Sequence, residues 1–390
     1  MKKYQYLIIG GGQTGDAAVR GIRGLDLKGS VGMLSAEIDP PYSRPALSKS
    51  LWQGKALDKI WRNTKDLGID LYLGRKVVKL DPHKKVIIDD KGNEYTYNKL
   101  LLATGGTSNH LPFGEDKIIY YRGFQDYQRL RALSEHGEKF LVIGGGFIGS
   151  EIAAALTMTD KKVVMVFPEK GIGANVYPDD LSLFITDYYR KKGVEIVAEN
   201  TVVRIEERGE KISVYTKTGK TFEVDGVVAG IGIRPNTDLA QQAGLNIDNG
   251  IAVDAHLQTS VLDIYAAGDV ANFFHTTLGR RVRVEHEDNA VKMGNMAGRN
   301  MAGSNESYTH VPMFYSDLFD LGYEAVGQLS SKLEVVYDWK EPFKKGVVYY
   351  LEDGRVRGVL LWNTWDTLPA ARVLLAEPGP FKASELMGRL

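Results

Sequence analysis

Two stretches of the chain run from a short apolar strand into a glycine turn and on into a helix of small residues. In the first, the strand Tyr4 to Ile9 ends on Leu7-Ile8-Ile9, and Gly10, Gly12 and Gly15 follow in the order GxGxxG. Ala17 and Ala18 then open a helical pattern, and a second apolar strand, Val31 to Ser35, leads to Glu37. The second copy repeats the series: strand Phe140 to Ile143, then Gly144, Gly146 and Gly149, a helix with Ala153, Ala154 and Ala155, strand Lys162 to Phe167, and Glu169. After Tyr308 the pattern changes. Val335-Val336-Tyr337, Val347 to Leu351 and Val356 to Trp362 read as strands of a small α+β domain closed by a helix from Leu368 to Ala376.

The glycines carry a physical expectation. Gly10 and Gly144 permit a tight turn, Gly12 and Gly146 let backbone approach a pyrophosphate, and Gly15 and Gly149 let helix and strand pack closely. The helix N-terminus then faces the phosphates, with Thr14 and Ile148 inside the two turns. An acid about 20 residues on accepts the ribose hydroxyls, the place of Glu37 and Glu169. A carboxylate there disfavours the 2′-phosphate of NADP, so the second unit is expected to prefer NAD, a preference tempered by Lys170. The chain is expected to bind two dinucleotides.

Composition narrows the chemistry. Of 390 residues 43% are hydrophobic, Lys plus Arg and Asp plus Glu both count 49, and the formal net charge is +0. That balance gives no long-range attraction to nucleic acid or to an anionic membrane, so neither is expected as a partner. The one basic stretch, Arg280-Arg281-x-Arg283, reads as a solvated strand-edge cluster. No apolar run approaches the ~18 residues of a membrane span, and the chain enters its first strand at once with no leader, so a cytoplasmic location is expected. There is no cysteine. Disulfides, thiolate metal sites, iron-sulfur ligation and cysteine nucleophiles are therefore excluded, and no metal site is expected.

Two further stretches identify the first nucleotide by resemblance. "LLATGG", Leu101 to Gly106, and "DIYAAGDVANF", Asp263 to Phe273, resemble the FAD-dependent pyridine-nucleotide reductases, whose FAD domain is interrupted by the NAD domain. "PPYSRPALSKSLW", Pro40 to Trp52, is similar to a segment shared by oxygenase-type ferredoxin reductases and the apoptosis-inducing factor family. "VFPEKG", "LGRRVRVEHEDNAV", "MFYSDLFDLGYEAVG" and "KGVVYYLEDGRVRGVLLWNTWDTLPAAR" resemble that last family over nearly the whole chain. The resemblance implies two doubly wound Rossmann-like α/β domains plus the α+β domain: residues 1–115 with 244–307 for FAD, 116–243 for NAD, and 308–390 at the C-terminus, with the active site in the interdomain crevice.

It also implies site residues. Ala103, Thr104 and Gly105 match the turn where the chain crosses between domains, and Asp269 the acid that bonds the ribityl chain. Arg44 and Lys49 match flavin-contacting cations, with Lys49 paired to Glu151 in the first turn of the second fingerprint helix. Val77 and Arg122 match contacts to the adenine and phosphates of FAD, and His286, Glu287 and Tyr315 complete that set, Tyr315 standing where the family usually has Trp. Phe147 matches the ring that covers the isoalloxazine and then sandwiches the nicotinamide, while Gly232, Glu285, His286, Glu324 and Asn363 match NAD contacts. His286 is a candidate proton donor near neutral pH, or a positioning group, since hydride transfer needs no general base. The chain departs from the mitochondrial members in having no targeting segment and no long C-terminal insertion, only a short turn at Lys340 to Lys345. It reads as a short, prokaryotic-style relative.

The implied activity is an FAD-dependent NADH oxidoreductase in which hydride passes from NADH to FAD. Three continuations stay open: a small carrier such as ferredoxin or rubredoxin, a small molecule such as a quinone or oxygen, or a slow, NADH-responsive redox sensor with a long-lived charge-transfer complex. A homodimer is one candidate assembly.

Overall fold

A computed structural model describes residues Met1–Leu390. Its contacts divide the chain into two compact units: Met1–Arg44 with Ala56–Thr107 and Arg234–Pro312, and Pro45–Lys55 with Ser108–Ile233 and Met313–Leu390.

The first unit is built on a sheet ordered Asp70–Tyr72, Val31–Leu34, Lys2–Ile9, Glu94–Leu102, Val86–Asp89 and Val77–Asp81, with Ile264–Ala266 pairing to Glu94–Leu102. Lys2–Ile9 runs parallel to both neighbours, with Ile8 opposite Met33 on one side and Leu101 on the other. Parallel strands are covered on both faces, which is why these segments read as unbroken apolar runs, and Leu7, Ile8, Met33 and Leu100 to Leu102 are fully buried.

One helical pair covers this sheet with unusual closeness. The fingerprint helix Gln13–Arg23 packs on Glu287–Met301 through glycines. A Cβ at Gly298 would lie 2.0 Å from the Ala18 carbonyl oxygen, and one at Gly294 2.4 Å from that of Thr14. Beneath them Asp16, fully buried, accepts hydrogen bonds from Arg20 (3.0 Å), Arg62 (2.9 Å) and Thr64 (2.8 Å). A buried carboxylate persists when it is paired and hydrogen-bonded, and this one ties the helix to the loop before Asp70–Tyr72.

The second unit holds a parallel sheet ordered Glu195–Val197, Lys162–Val166, Lys139–Ile143, Gly226–Ala229 and Ile118–Tyr120, and a three-stranded antiparallel meander over 202–224. Its C-terminal part is a five-stranded antiparallel sheet, Met313–Leu318, Leu321–Gly327, Arg355–Trp362, Lys345–Glu352 and Glu334–Glu341, with the helix Leu368–Ala376. The expected class, two Rossmann-like folds and an α+β portion, is the observed one. The turn expected at Lys340 to Lys345 is shorter, because Glu334–Glu341 and Lys345–Glu352 continue their ladder up to it. No helix is long and apolar enough to cross a membrane.

The basic stretch lies on the edge strand Arg280–Arg283, where Arg281 is exposed and Arg280 and Arg283 are partly exposed. Arg281 donates to the Asn272 side chain (3.0 Å) and the Val253 carbonyl (2.8 Å), and Arg283 to the Asp269 carbonyl (3.0 Å) and Glu285. These arginines pin the strand Arg280–Arg283 to its sheet.

Gly298→Ala has no room for its methyl group, so the variant is expected to lose about 1–3 kcal/mol of stability. A chemical denaturation curve unchanged from the parent would show that the two helices can part without cost.

Candidate functional site: two glycine cradles and a buried charge pair

The two fingerprints fold into the same device. Gly10 has φ +124°, and a Cβ there would lie 2.0 Å from the Ala103 carbonyl oxygen; Gly144 has φ +109°, with Gly230 oxygen at 2.5 Å. At Gly15 the obstacle is the oxygen of Gly10 at 2.2 Å, and at Gly149 that of Gly144 at 2.0 Å. Gly12 and Gly146 differ, since a Cβ on either meets nothing within 4 Å. Both are N-caps without a side-chain cap, ahead of the helices Gln13–Arg23 and Phe147–Met158. Uncapped N–H groups over an open glycine make a cradle for an anion, and the residues present fit a dinucleotide pyrophosphate in both places.

Around the first cradle, within the first unit, the sequence-named residues form a linked set. Gln13, which sequence reasoning missed, donates to Glu287 and accepts from the Arg44 backbone N–H (3.4 Å). Arg44 donates to Glu37 Oε1 at 2.7 Å, and Tyr42 donates to Glu37 Oε2 at 2.7 Å. Burial alone would lower the Arg44 guanidinium, but Tyr42, Glu37 and Asp269 outweigh it and hold its pKa raised. Thr14 is buried against Gly268, whose own Cβ would meet the Thr14 hydroxyl at 2.2 Å. Asp269 lies in the short turn Gly268–Val270. Asn236, also missed, laces the Ala103-Thr104-Gly105 turn: it donates to the Thr104 carbonyl, its own carbonyl accepts from the Thr104 hydroxyl, both at 2.8 Å, and its N–H bonds the Gly105 oxygen at 3.0 Å. Val77 is buried in the core of this unit.

His286 is the N-cap of Glu287–Met301. Burial pushes its imidazole down to about 4, against the pull of Asp269 and Asp288. A lowered pKa favours the positioning alternative over that of a proton donor near neutral pH. Glu285 is paired with Arg283.

Around the second cradle, within the second unit, Phe147 opens the helix and meets Phe314 edge-on at 5.8 Å between centroids, while Ile148 is 38% exposed at the turn. Glu151 sits beyond the first turn, which contains no acid, so its place is explained by its partners rather than by the helix dipole. It is 5% exposed. Lys49 donates to Oε1, Ser316 donates to Oε1 at 2.7 Å and Ser48 to Oε2 at 2.6 Å. The Lys49 ammonium also lies 5.1 Å from the Tyr315 ring centroid. Burial raises the pKa of the Tyr177 and Tyr323 phenols, with Tyr177 and then Glu151 adding to the rise at Tyr323, and Glu151 adding at Tyr177 against its hydrogen bond with Tyr323.

The remaining sequence-named residues are less concentrated. Glu169 follows Lys162–Val166 with Asn175 at 3.5 Å from Oε1. Gly232, at φ +84°, presents its carbonyl to the Asn109 N–H. Arg122 precedes the helix Phe124–His136, its N–H bonded to Asp126. Glu324, half-buried on Leu321–Gly327, has its carboxyl raised by burial and by Asp366, against Arg372. Asn363 spends both ends of its amide within the C-terminal sheet, accepting from the Gly322 N–H and donating to the Lys344 carbonyl, each at 2.8 Å.

Known proteins share this construction. The model of the pyridine nucleotide-disulphide oxidoreductase family matches residues 4–294, and that of the apoptosis-inducing factor, mitochondrion-associated, C-terminal domain matches 297–341 and 337–377. Apoptosis-inducing factor 1, mitochondrial, of Dictyostelium discoideum is 34% identical, over 96% of this chain and 79% of its own. Monodehydroascorbate reductase 3 of Arabidopsis thaliana is 35% identical over 92% and 89%. The structure of a covalent putidaredoxin reductase–putidaredoxin complex superposes with a TM-score of 0.92 at 27% identity, over 99% of this chain and 96% of that one. The chain belongs to the pyridine nucleotide-disulphide oxidoreductase family, in its apoptosis-inducing-factor-like branch. It is a flavoprotein oxidoreductase of the kind that uses FAD and NAD(H).

The open cradles make a sharp prediction. Gly12→Ala and Gly146→Ala, whose methyl groups meet no protein atom, are expected to keep the parent's unfolding temperature without nucleotide and to lose the dinucleotide of their own cradle. Gly10→Ala, clashing with backbone, is expected to unfold earlier. Calorimetry and bound-nucleotide assays separate these outcomes, and full dinucleotide binding by Gly12→Ala would contradict the cradle assignment.

Proposed function

We propose that the first cradle holds FAD and the second NADH, and that the chain passes hydride from NADH to FAD and electrons onward to an acceptor outside itself. The observation that carries this reading is the duplicated cradle, one open glycine over an uncapped helix in each of two nucleotide folds. When bound, FAD supplies the two-electron chemistry. The protein's part is to hold the dinucleotides and shape the field around them. Arg44 with Glu37, Asp269, His286 and Glu287 line the FAD side of the first unit. Lys49 sets a cation toward the flavin, held by Glu151 and Tyr315, and a cation there stabilises negative charge on the reduced ring. Phe147, half-exposed at the head of its helix, covers the nicotinamide, and Glu169 selects the unphosphorylated ribose.

Without cysteine, no dithiol of this chain can relay electrons, so the acceptor comes to the flavin. The match to the apoptosis-inducing factor C-terminal domain supports slow reoxidation with a persistent charge-transfer complex. A second reading, transfer to a small carrier protein, is favoured by the likeness to a reductase solved with putidaredoxin.

Glu169→Ala is expected to narrow the preference for NADH over NADPH by about tenfold, or roughly 1.4 kcal/mol, in the rate of flavin reduction. An unchanged ratio would remove Glu169 from the ribose. Because burial pushes the His286 imidazole down to about 4, the reduction rate is expected to be flat from about pH 6 to 8. An inflection near 6.5 that disappears in His286→Asn would show instead that this imidazole gains a proton in the working range.

A further inference from the structure

The strand Met313–Leu318 gives three consecutive side chains to one place. Phe314 meets Phe147, Tyr315 lies beside the Lys49 ammonium, and Ser316 donates to Glu151. Ser316 is 1% exposed, and its 2.7 Å bond ends on the oxygen that also accepts from Lys49. Ser48 holds the other oxygen at 2.6 Å. A buried carboxylate with donors on both oxygens cannot turn about its terminal bond, and a lysine that shares one of those oxygens has a single seat, between the carboxylate and the Tyr315 ring. Lysine is otherwise a flexible point charge on a long stem.

We propose that Ser316 is a positioning residue of the flavin chemistry, acting through Glu151 to fix the Lys49 ammonium. The inference rests on the reading that Lys49 faces the flavin. It assigns the C-terminal sheet a part in tuning the cofactor: without the Ser316 hydroxyl, Oε1 has its lysine as sole donor while Ser48 still holds Oε2, so the ammonium no longer shares that oxygen and can shift around it. A field that depends on charge distance changes accordingly.

The test uses the FAD-loaded full chain. In Ser316→Ala the visible flavin spectrum and midpoint potential are expected to shift, and anaerobic reduction at saturating NADH to slow about tenfold with the NADH dissociation constant unchanged. In a Lys49→Met background the same substitution is expected to have no further effect, because residues acting as one unit are not additive. An unaltered spectrum, potential and rate, or the same slowing with Lys49 absent, would overturn the proposal and leave Ser316 a packing residue. Should Ser316→Ala fail to fold, Ser48→Ala removes the donor from the other oxygen and is read by the same criteria. A parent protein that binds no FAD, or whose FAD NADH does not reduce, defeats the reading of the whole site; a normal parent with a silent Ser316→Ala defeats only this inference.

Discussion

Close approach of backbone to backbone is the constraint on which both nucleotide sites depend. At Gly10 and Gly15, and again at Gly144 and Gly149, a methyl group would fall between 2.0 and 2.5 Å from a carbonyl oxygen. Strand, turn and helix therefore meet at a distance only glycine allows, and this brings the helix N-terminus to the end of the strands. The middle glycine of each turn is the only one with open space above it. The outer glycines are required by packing, whereas the inner one is not, so the proposed binding role falls to the inner glycine. The helix Glu287–Met301 extends the principle, using Gly294 and Gly298 to lie directly on the first fingerprint helix, with Glu287 accepting from Gln13 at the start of that helix.

Charge is handled differently on the two sides. Asp16 is wholly enclosed by two arginines and a threonine, all its acceptor capacity is spent within the protein, and its part is architectural. Glu151 is nearly as buried, but one of its partners is Lys49, whose ammonium also faces an aromatic ring that is 38% exposed. Removing one member of a buried pair costs about 3–5 kcal/mol, because the charge left behind is uncompensated. The architectural carboxylate lies inside a helix contact, and the other lies on the helix of the second fingerprint.

Much of this was legible in the sequence because it is local. Both fingerprints, their strands and helices, the ATG turn and the C-terminal strands are written in runs of a few residues whose period and glycine spacing have one physical meaning. What was not legible depends on chain separation or on burial. Ser48 and Ser316 lie 103 and 165 residues from Glu151, Asn236 lies 132 from Thr104, and Gln13 lies 274 from Glu287; nothing in the composition of either segment marks the meeting. His286 carries no sign in sequence that its surroundings lower its pKa. The carbonyl partners of Arg281 and Arg283 are set by the fold and not by the basic stretch itself, and the Asn363 amide is spent on its own sheet.

The central claim is that one chain brings donor and acceptor nucleotides to a single hydride transfer without any thiol of its own. Anaerobic addition of NADH to the FAD-loaded protein, followed by its absorption spectrum, tests it most directly. The account predicts that one equivalent of NADH per chain bleaches the flavin and raises a long-wavelength band between reduced flavin and oxidised nicotinamide. A flavin that stays oxidised under excess NADH, or a purified chain that holds no flavin, would contradict it.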